Sequence, residues 1–136
     1  MAREHVLFLC TANACRSQMA EGWFKALAPE GMTAESAGSN PVGHVHPVAV
    51  DIMAEAGVDI SGHLSKGLDA AMYSRATRVV VVCAHANQRC PAPPPGIPKL
   101  FWPIRDPGTL EDFRLIRDEI RGRIEGLLKE LSGKIK

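Results

Sequence analysis

Val6-Leu7-Phe8-Leu9-Cys10-Thr11-Ala12-Asn13-Ala14-Cys15-Arg16-Ser17 is the stretch on which the reading of this chain turns. Four apolar residues run straight into a cysteine, as in a strand buried on both faces of a parallel sheet. Five residues separate Cys10 from Arg16, and helical spacing begins at Arg16. Strand, short turn and helix N-terminus together direct backbone N–H groups and the positive end of a dipole at the turn. A thiol at the head of that turn and a guanidinium at its end compose an oxyanion cradle with a nucleophile at its base. Thr11, Ala12, Asn13, Ala14 and Cys15 line the cradle, and Arg16 offers a fork of donors matched to a tetrahedral oxyanion. The loop amides, the helix terminus and Arg16 each favour the thiolate of Cys10, and the Ser17 hydroxyl can donate a hydrogen bond to it.

Working outward, residues 16–27 place Met19, Ala20, Trp23, Phe24 and Leu27 on one helical face, and Pro29 and Gly31 end it. Met32–Ser36 reads as a second strand, followed by a loop over 37–43. Pro47 suits the first turn of a helix, whose stripe is Val48, Ile52, Met53 and Ala56 before Gly57 stops it. Residues 58–67 read as irregular and 68–74 as a short helix. Val79-Val80-Val81-Val82 is the strongest strand signal and ends at Cys83. Pro91 to Pro98 excludes regular structure, Lys99–Trp102 is a last short strand, and Arg105-Asp106-Pro107-Gly108 is a turn. Thr109 with Asp112 resembles a capping box that opens a final helix with the stripe Phe113, Ile116, Ile120, Ile124, Leu127 and Leu131.

Strands alternating with helices imply βαβ units: an α/β single-domain three-layer sandwich over 1–136, with a four-stranded parallel sheet flanked by helices. Ligands of such sheets sit at the carboxyl ends of the strands. Cys10 and Cys83 both follow strands directly. On neighbouring strands, ~4.8 Å apart, their thiols meet at one edge of the sheet.

The 136 residues suit one compact domain, and 46 % apolar residues suffice for its core. No apolar run reaches the ~18 residues of a membrane span. Met1-Ala2-Arg3-Glu4-His5 precedes only four apolar residues and lacks the form of a signal peptide. The expectation is a soluble, cytoplasmic monomer. A net charge of +1 argues against nucleic acid or an anionic membrane as partner. The four cysteines, Cys10, Cys15, Cys83 and Cys90, read as catalytic or redox-active rather than as a disulfide framework. Cys15 reads as a packing residue at the start of the first helix, and His44 and His46 as loop and cap residues. Zinc at Cys83, Cys90 and His85 is poorly spaced and lacks a fourth ligand, so no metal site is expected.

The run Cys10-Thr11-Ala12-Asn13-Ala14-Cys15-Arg16-Ser17-Gln18-Met19-Ala20-Glu21-Gly22 resembles the signature of the low-molecular-weight tyrosine phosphatase superfamily. Its resemblance is closest to the thioredoxin-coupled arsenate reductases. Glu35-Ser36-Ala37-Gly38, the pair Cys83 and Cys90, and Asp106-Pro107 extend it over nearly the whole chain. The resemblance implies the same small parallel-sheet fold and makes Asp106 a general acid, a residue that is otherwise good turn chemistry on its own. It further implies a relay. Cys10 attacks arsenate as Asp106 protonates the departing hydroxide. Cys83 attacks Cys10 and releases arsenite, Cys90 then attacks Cys83, and thioredoxin reduces the resulting pair. No cofactor is implied beyond those electrons. Two competing readings are a low-molecular-weight protein tyrosine or aryl phosphatase, which needs Cys10 but not Cys83, and a redox-sensing or phosphate-binding module.

Were residues 83–90 helical, the two Cα atoms would stand ~10.5 Å apart along the axis, whereas a disulfide requires less than ~7 Å. The segment is therefore expected to unwind on oxidation. Ala12 stands where the family usually has glycine, and Asn13 is the neighbour that tolerates a left-handed backbone. Some of the reductases hold potassium with residues matching Asn13, Glu21 and Ser36 and an aspartate that aligns with Lys66. An ammonium group at Lys66 takes the place of the metal, so no potassium requirement is expected. The tyrosine usual beside the acid of the phosphatases is absent: Gly108 follows Pro107, and the only tyrosine is Tyr73.

Overall fold

A computed structural model describes residues 3–84, 86, 90 and 93–133. Four parallel strands, β1 (Glu4–Cys10), β2 (Met32–Gly38), β3 (Arg78–Val81) and β4 (Lys99–Phe101), lie in the order β2-β1-β3-β4. Helices placed among the described residues are α1 (Arg16–Leu27), α2 (Pro47–Glu55), α3 (Ala70–Arg75) and α4 (Leu110–Gly133). β1 is central, and Val6, Leu7, Phe8 and Leu9 are fully buried. Burial of such side chains contributes about 1.5–3 kcal/mol each, so this run anchors the middle of the core.

Alternation along the strands separates two layers. Phe8 and Ser36 face α1, where Phe8 meets Phe24 edge to face at 6.0 Å and the Ser36 hydroxyl donates to Glu21. α4 lies beside α1 on this face, and the Trp23 indole donates to the Arg117 carbonyl at 3.1 Å. Glu35 points to the opposite face, where Arg75 of α3 grips it with two hydrogen bonds. One continuous core joins the elements. The α/β three-layer architecture read from the sequence is the one found. No helix among the described residues is long and apolar enough to cross a membrane.

The boundaries differ in instructive places. β2 continues through Ala37 and Gly38, which the sequence reads as loop, because Gly38 pairs with Cys10 and bridges to Gly67. A Cβ at Gly38 would stand 2.4 Å from the Thr11 carbonyl oxygen, so glycine alone lets β2 run this close to the loop. β3 begins one residue earlier and ends one earlier than expected, yet the Val82 N–H still donates to the Leu9 carbonyl at 2.8 Å. β4 stops at Phe101 rather than Trp102, and the short helix runs 70–75 behind an Asp69 cap. In α2 the buried residues are Ala49, Ile52 and Met53, whereas Ala56 lies beyond the helix and is exposed.

Candidate active site

Cys10 ends β1, and the chain then curls through residues 11–15 into α1. The curl is held from outside by its own carbonyls. Cys10, Thr11, Ala12 and Ala14 accept from the N–H groups of Ser39 (3.2 Å), Asn40 (2.9 Å), Val42 (3.1 Å) and His46 (2.8 Å), and the Ser65 hydroxyl also donates to Ala12. Peptide planes whose carbonyls face outward present their amides inward, which is the form of an anion nest. Asn13 alone among the described non-glycine residues has a positive φ, +50°. Ala12 needs no left-handed backbone, so its departure from glycine leaves the loop closed.

The Cys10 sulfur is buried and receives the Asn13 N–H at 3.2 Å. It lies 2.8 Å from the Ser17 hydroxyl. Asn13 Nδ2 donates to that same hydroxyl oxygen at 2.9 Å, and the Ser17 proton remains available to a Cys10 thiolate. Asn13 Oδ1 accepts from Gln18 Nε2 at 3.0 Å and from the Lys66 N–H at 2.9 Å. Gln18, fully buried, also donates to the Asn13 and Leu64 carbonyls. It is the site residue to which sequence reasoning assigned no part, since nothing local in α1 signals a bond to a carbonyl 46 residues away.

Arg16 is less free than a simple anion fork. Nη1 donates to the Ile104 carbonyl at 2.7 Å, and Nη2 stands 3.7 Å from Asp106 Oδ1. The Ile104 bond ties the guanidinium to the segment that carries Asp106. The Asp106 side chain is 81 % exposed.

Cys83 is 2 % exposed, and its sulfur lies 3.4 Å from the Thr11 hydroxyl and 3.4 Å from the Ala86 N–H. Since β1 and β3 are neighbours, Cys10 and Cys83 both stand at the carboxyl end of adjacent strands. Cys90 is half-buried, and its N–H donates to the Ala86 carbonyl at 2.8 Å. It lines a cavity of about 360 Å³ together with Gly38, Ser39, Leu68, Asp69 and Tyr73. Burial raises the Cys90 thiol, and the charges of Cys83 and Cys10 push the same way. Burial also pushes Cys15 up to about 12, against the pull of Arg16, so it stays a thiol at neutral pH, in keeping with a packing role. All four cysteines are free. His85 and residues 87–89, part of the segment expected to unwind, lie outside the described residues.

Behind the loop, Glu21 is almost fully buried. Its carboxylate accepts from Ser36 at 2.6 Å and pairs with Lys25, with Lys66 Nζ at 3.9 Å and His63 Nε2 at 3.7 Å. Burial lowers His63 against the pull of Glu21, and its Nδ1 lies 3.0 Å from Gln18 Oε1. His46 caps α2 by accepting the Val48 N–H, and His44 is exposed. Among the described residues no group of three or more histidine, cysteine or acidic side chains is arranged to hold a metal.

The family described as low molecular weight phosphotyrosine protein phosphatase matches residues 5–136. An arsenate reductase of Staphylococcus aureus is 41% identical over 127 residues, covering 92% of this chain and 96% of its own. A thioredoxin-dependent arsenate reductase of Corynebacterium glutamicum matches 97% of this chain with a TM-score of 0.85 and 31% identity, and this chain spans 63% of that longer one. A solved arsenate reductase in a phosphate binding state is 33% identical, with a TM-score of 0.80, over 93% of this chain and 98% of its own.

Proposed function

Because the chain belongs to the low molecular weight phosphotyrosine protein phosphatase family, we propose that it turns the family's oxyanion loop to arsenate reduction. The observation that carries this reading is the second thiol: the Cys83 sulfur lies 3.4 Å from the hydroxyl of Thr11, the residue next to Cys10. A phosphatase has no use for a buried thiol there. A reductase must supply two electrons, and a thiol pair does so by becoming a disulfide.

The Cys10 thiolate, stabilised by the Asn13 N–H and the Ser17 hydroxyl, attacks arsenic held by the loop amides and Arg16. Asp106 gives its proton to the departing hydroxide. Cys83 then attacks the Cys10 sulfur. The sulfur–arsenic bond breaks, its electron pair leaves with arsenic as arsenite, and a Cys10–Cys83 disulfide remains. Cys90 attacks Cys83, Cys10 departs as thiolate, and the pair Cys83–Cys90 carries the oxidation to thioredoxin. The enzyme so described is a cytoplasmic monomer that draws electrons from thioredoxin and needs no other cofactor.

The test is arsenate-dependent NADPH oxidation in the presence of thioredoxin and its reductase, run beside hydrolysis of an aryl phosphate. Cys83→Ser abolishes the first activity and largely spares any of the second. Aryl-phosphate hydrolysis without arsenate turnover would make the protein a phosphatase instead.

A further inference from the structure

Asp106 is held by what its neighbours are tied to. Asp112, in the first turn of α4, accepts Arg105 Nη2 on Oδ1 at 2.9 Å and the Gly108 N–H on Oδ2 at 3.1 Å. Arg105 and Gly108 bracket the Asp106-Pro107 pair, so one carboxylate grips the turn on both sides of the acid. The main chain of Asp112 is itself fixed. Its N–H donates to Thr109 Oγ1 at 3.1 Å, and the Phe113 N–H to the Thr109 carbonyl at 3.0 Å. A capping box would return the Asp112 carboxylate to the Thr109 amide. Here it passes that amide and takes the one before it, so half of the expected box is present and the other half is spent on the turn. Arg105 foremost, and then the Gly108 N–H, hold the Asp112 carboxyl below the ordinary range, which keeps both oxygens as acceptors at neutral pH. The other side of the turn is anchored at Ile104, whose carbonyl accepts from Arg16.

From this we infer that Asp112 is a positioning residue for Asp106, setting the distance from the acid to the oxyanion held over Cys10. The inference rests on the reading above, in which Asp106 protonates the leaving oxygen. A charged fork and a backbone amide converging on one carboxylate leave the intervening dipeptide little freedom. Misplacing a reacting group by about 1 Å costs on the order of a hundredfold in rate.

A double-mutant cycle separates positioning from general weakening of the fold. Asp112→Ala slows kcat for arsenate about tenfold or more while KM changes less than about twofold, because the anion loop is untouched. Placed on Asp106→Asn, the same change costs nothing further. An equal loss in both backgrounds, or no loss in either, overturns the proposal. Where Asp112→Ala does not fold, Asp112→Asn serves in the same cycle under the same criteria, since it keeps an acceptor for the Gly108 amide and gives up the charge facing Arg105. Running the cycle also on phenyl phosphate hydrolysis keeps the two questions apart. Activity on phenyl phosphate alone would sink the reductase reading and still judge Asp112 by its dependence on Asp106.

Discussion

Asn13 joins one unusual backbone angle to three side-chain bonds, and these are separable. Its left-handed φ costs a non-glycine residue roughly 1 kcal/mol, offset here by acceptance from Gln18 and Lys66 and donation to Ser17. Asn13→Gly keeps the angle and loses the bonds, whereas Asn13→Ala loses both. Both variants lower the alkylation rate of Cys10 at pH 7, because Ser17 is no longer oriented toward the sulfur, and Asn13→Ala is the less stable of the two by about 1 kcal/mol. Peptide-resolved iodoacetamide labelling and urea unfolding measure the two effects, and wild-type labelling in Asn13→Gly would refute the Ser17 argument. Behind the same loop the Lys66 ammonium faces Glu21. Arsenate turnover is therefore the same in sodium and potassium buffers of equal ionic strength, and stimulation by potassium would contradict that assignment. Asn13 was legible in the sequence as a residue that accepts a left-handed turn. Gln18 was not, because a buried polar group betrays itself only through partners that other segments bring to it.

At the scale of elements, α1 and α4 were readable from periodicity, since long apolar stripes report a buried face directly. The end of β2 was not. Gly38 looks like loop by composition, and only the approach of Thr11 and the bridge from Gly67 make it strand. Glu35 shows how an element is pinned from outside. It sits on β2, accepts from Arg75 of α3, and lies 2.7 Å from His5 Nε2 on β1. Arg75 foremost, with His5, holds its carboxyl down at about 2, against about 4.3 in an unfolded chain. Between those values the unfolded chain binds a proton that the folded one refuses. The contribution is full above about pH 5 and is lost as the pH falls toward 2. Urea midpoints measured across that range fall less steeply in Arg75→Ala than in the wild type, and parallel profiles would show that the bridge adds nothing.

For the whole molecule, the relay proposed above turns on the segment between Cys83 and Cys90. The Cys90 N–H bonds to the Ala86 carbonyl, and were residues 83–90 helical, a disulfide to Cys83 could not close across the rise. Oxidation to Cys83–Cys90 therefore raises hydrogen exchange at the Cys90 amide, while the amides of β1 keep their protection. Equal exchange of Cys90 in reduced and oxidised protein would count against unwinding on oxidation. The distance argument was available from the cysteine spacing, whereas which sulfur lies deep and which borders a cavity required the packed fold. The direction in which the chain crosses the sheet has a practical reach. β1 starts at the end opposite Cys10, and α4 leaves the acid-bearing turn and travels about 36 Å over its 24 residues. Residues 4 and 133 both lie remote from the reactive pole, so a protein tethered to a bead or an electrode through either flank would turn its sulfur-bearing face outward, unobstructed to ion and reductant alike.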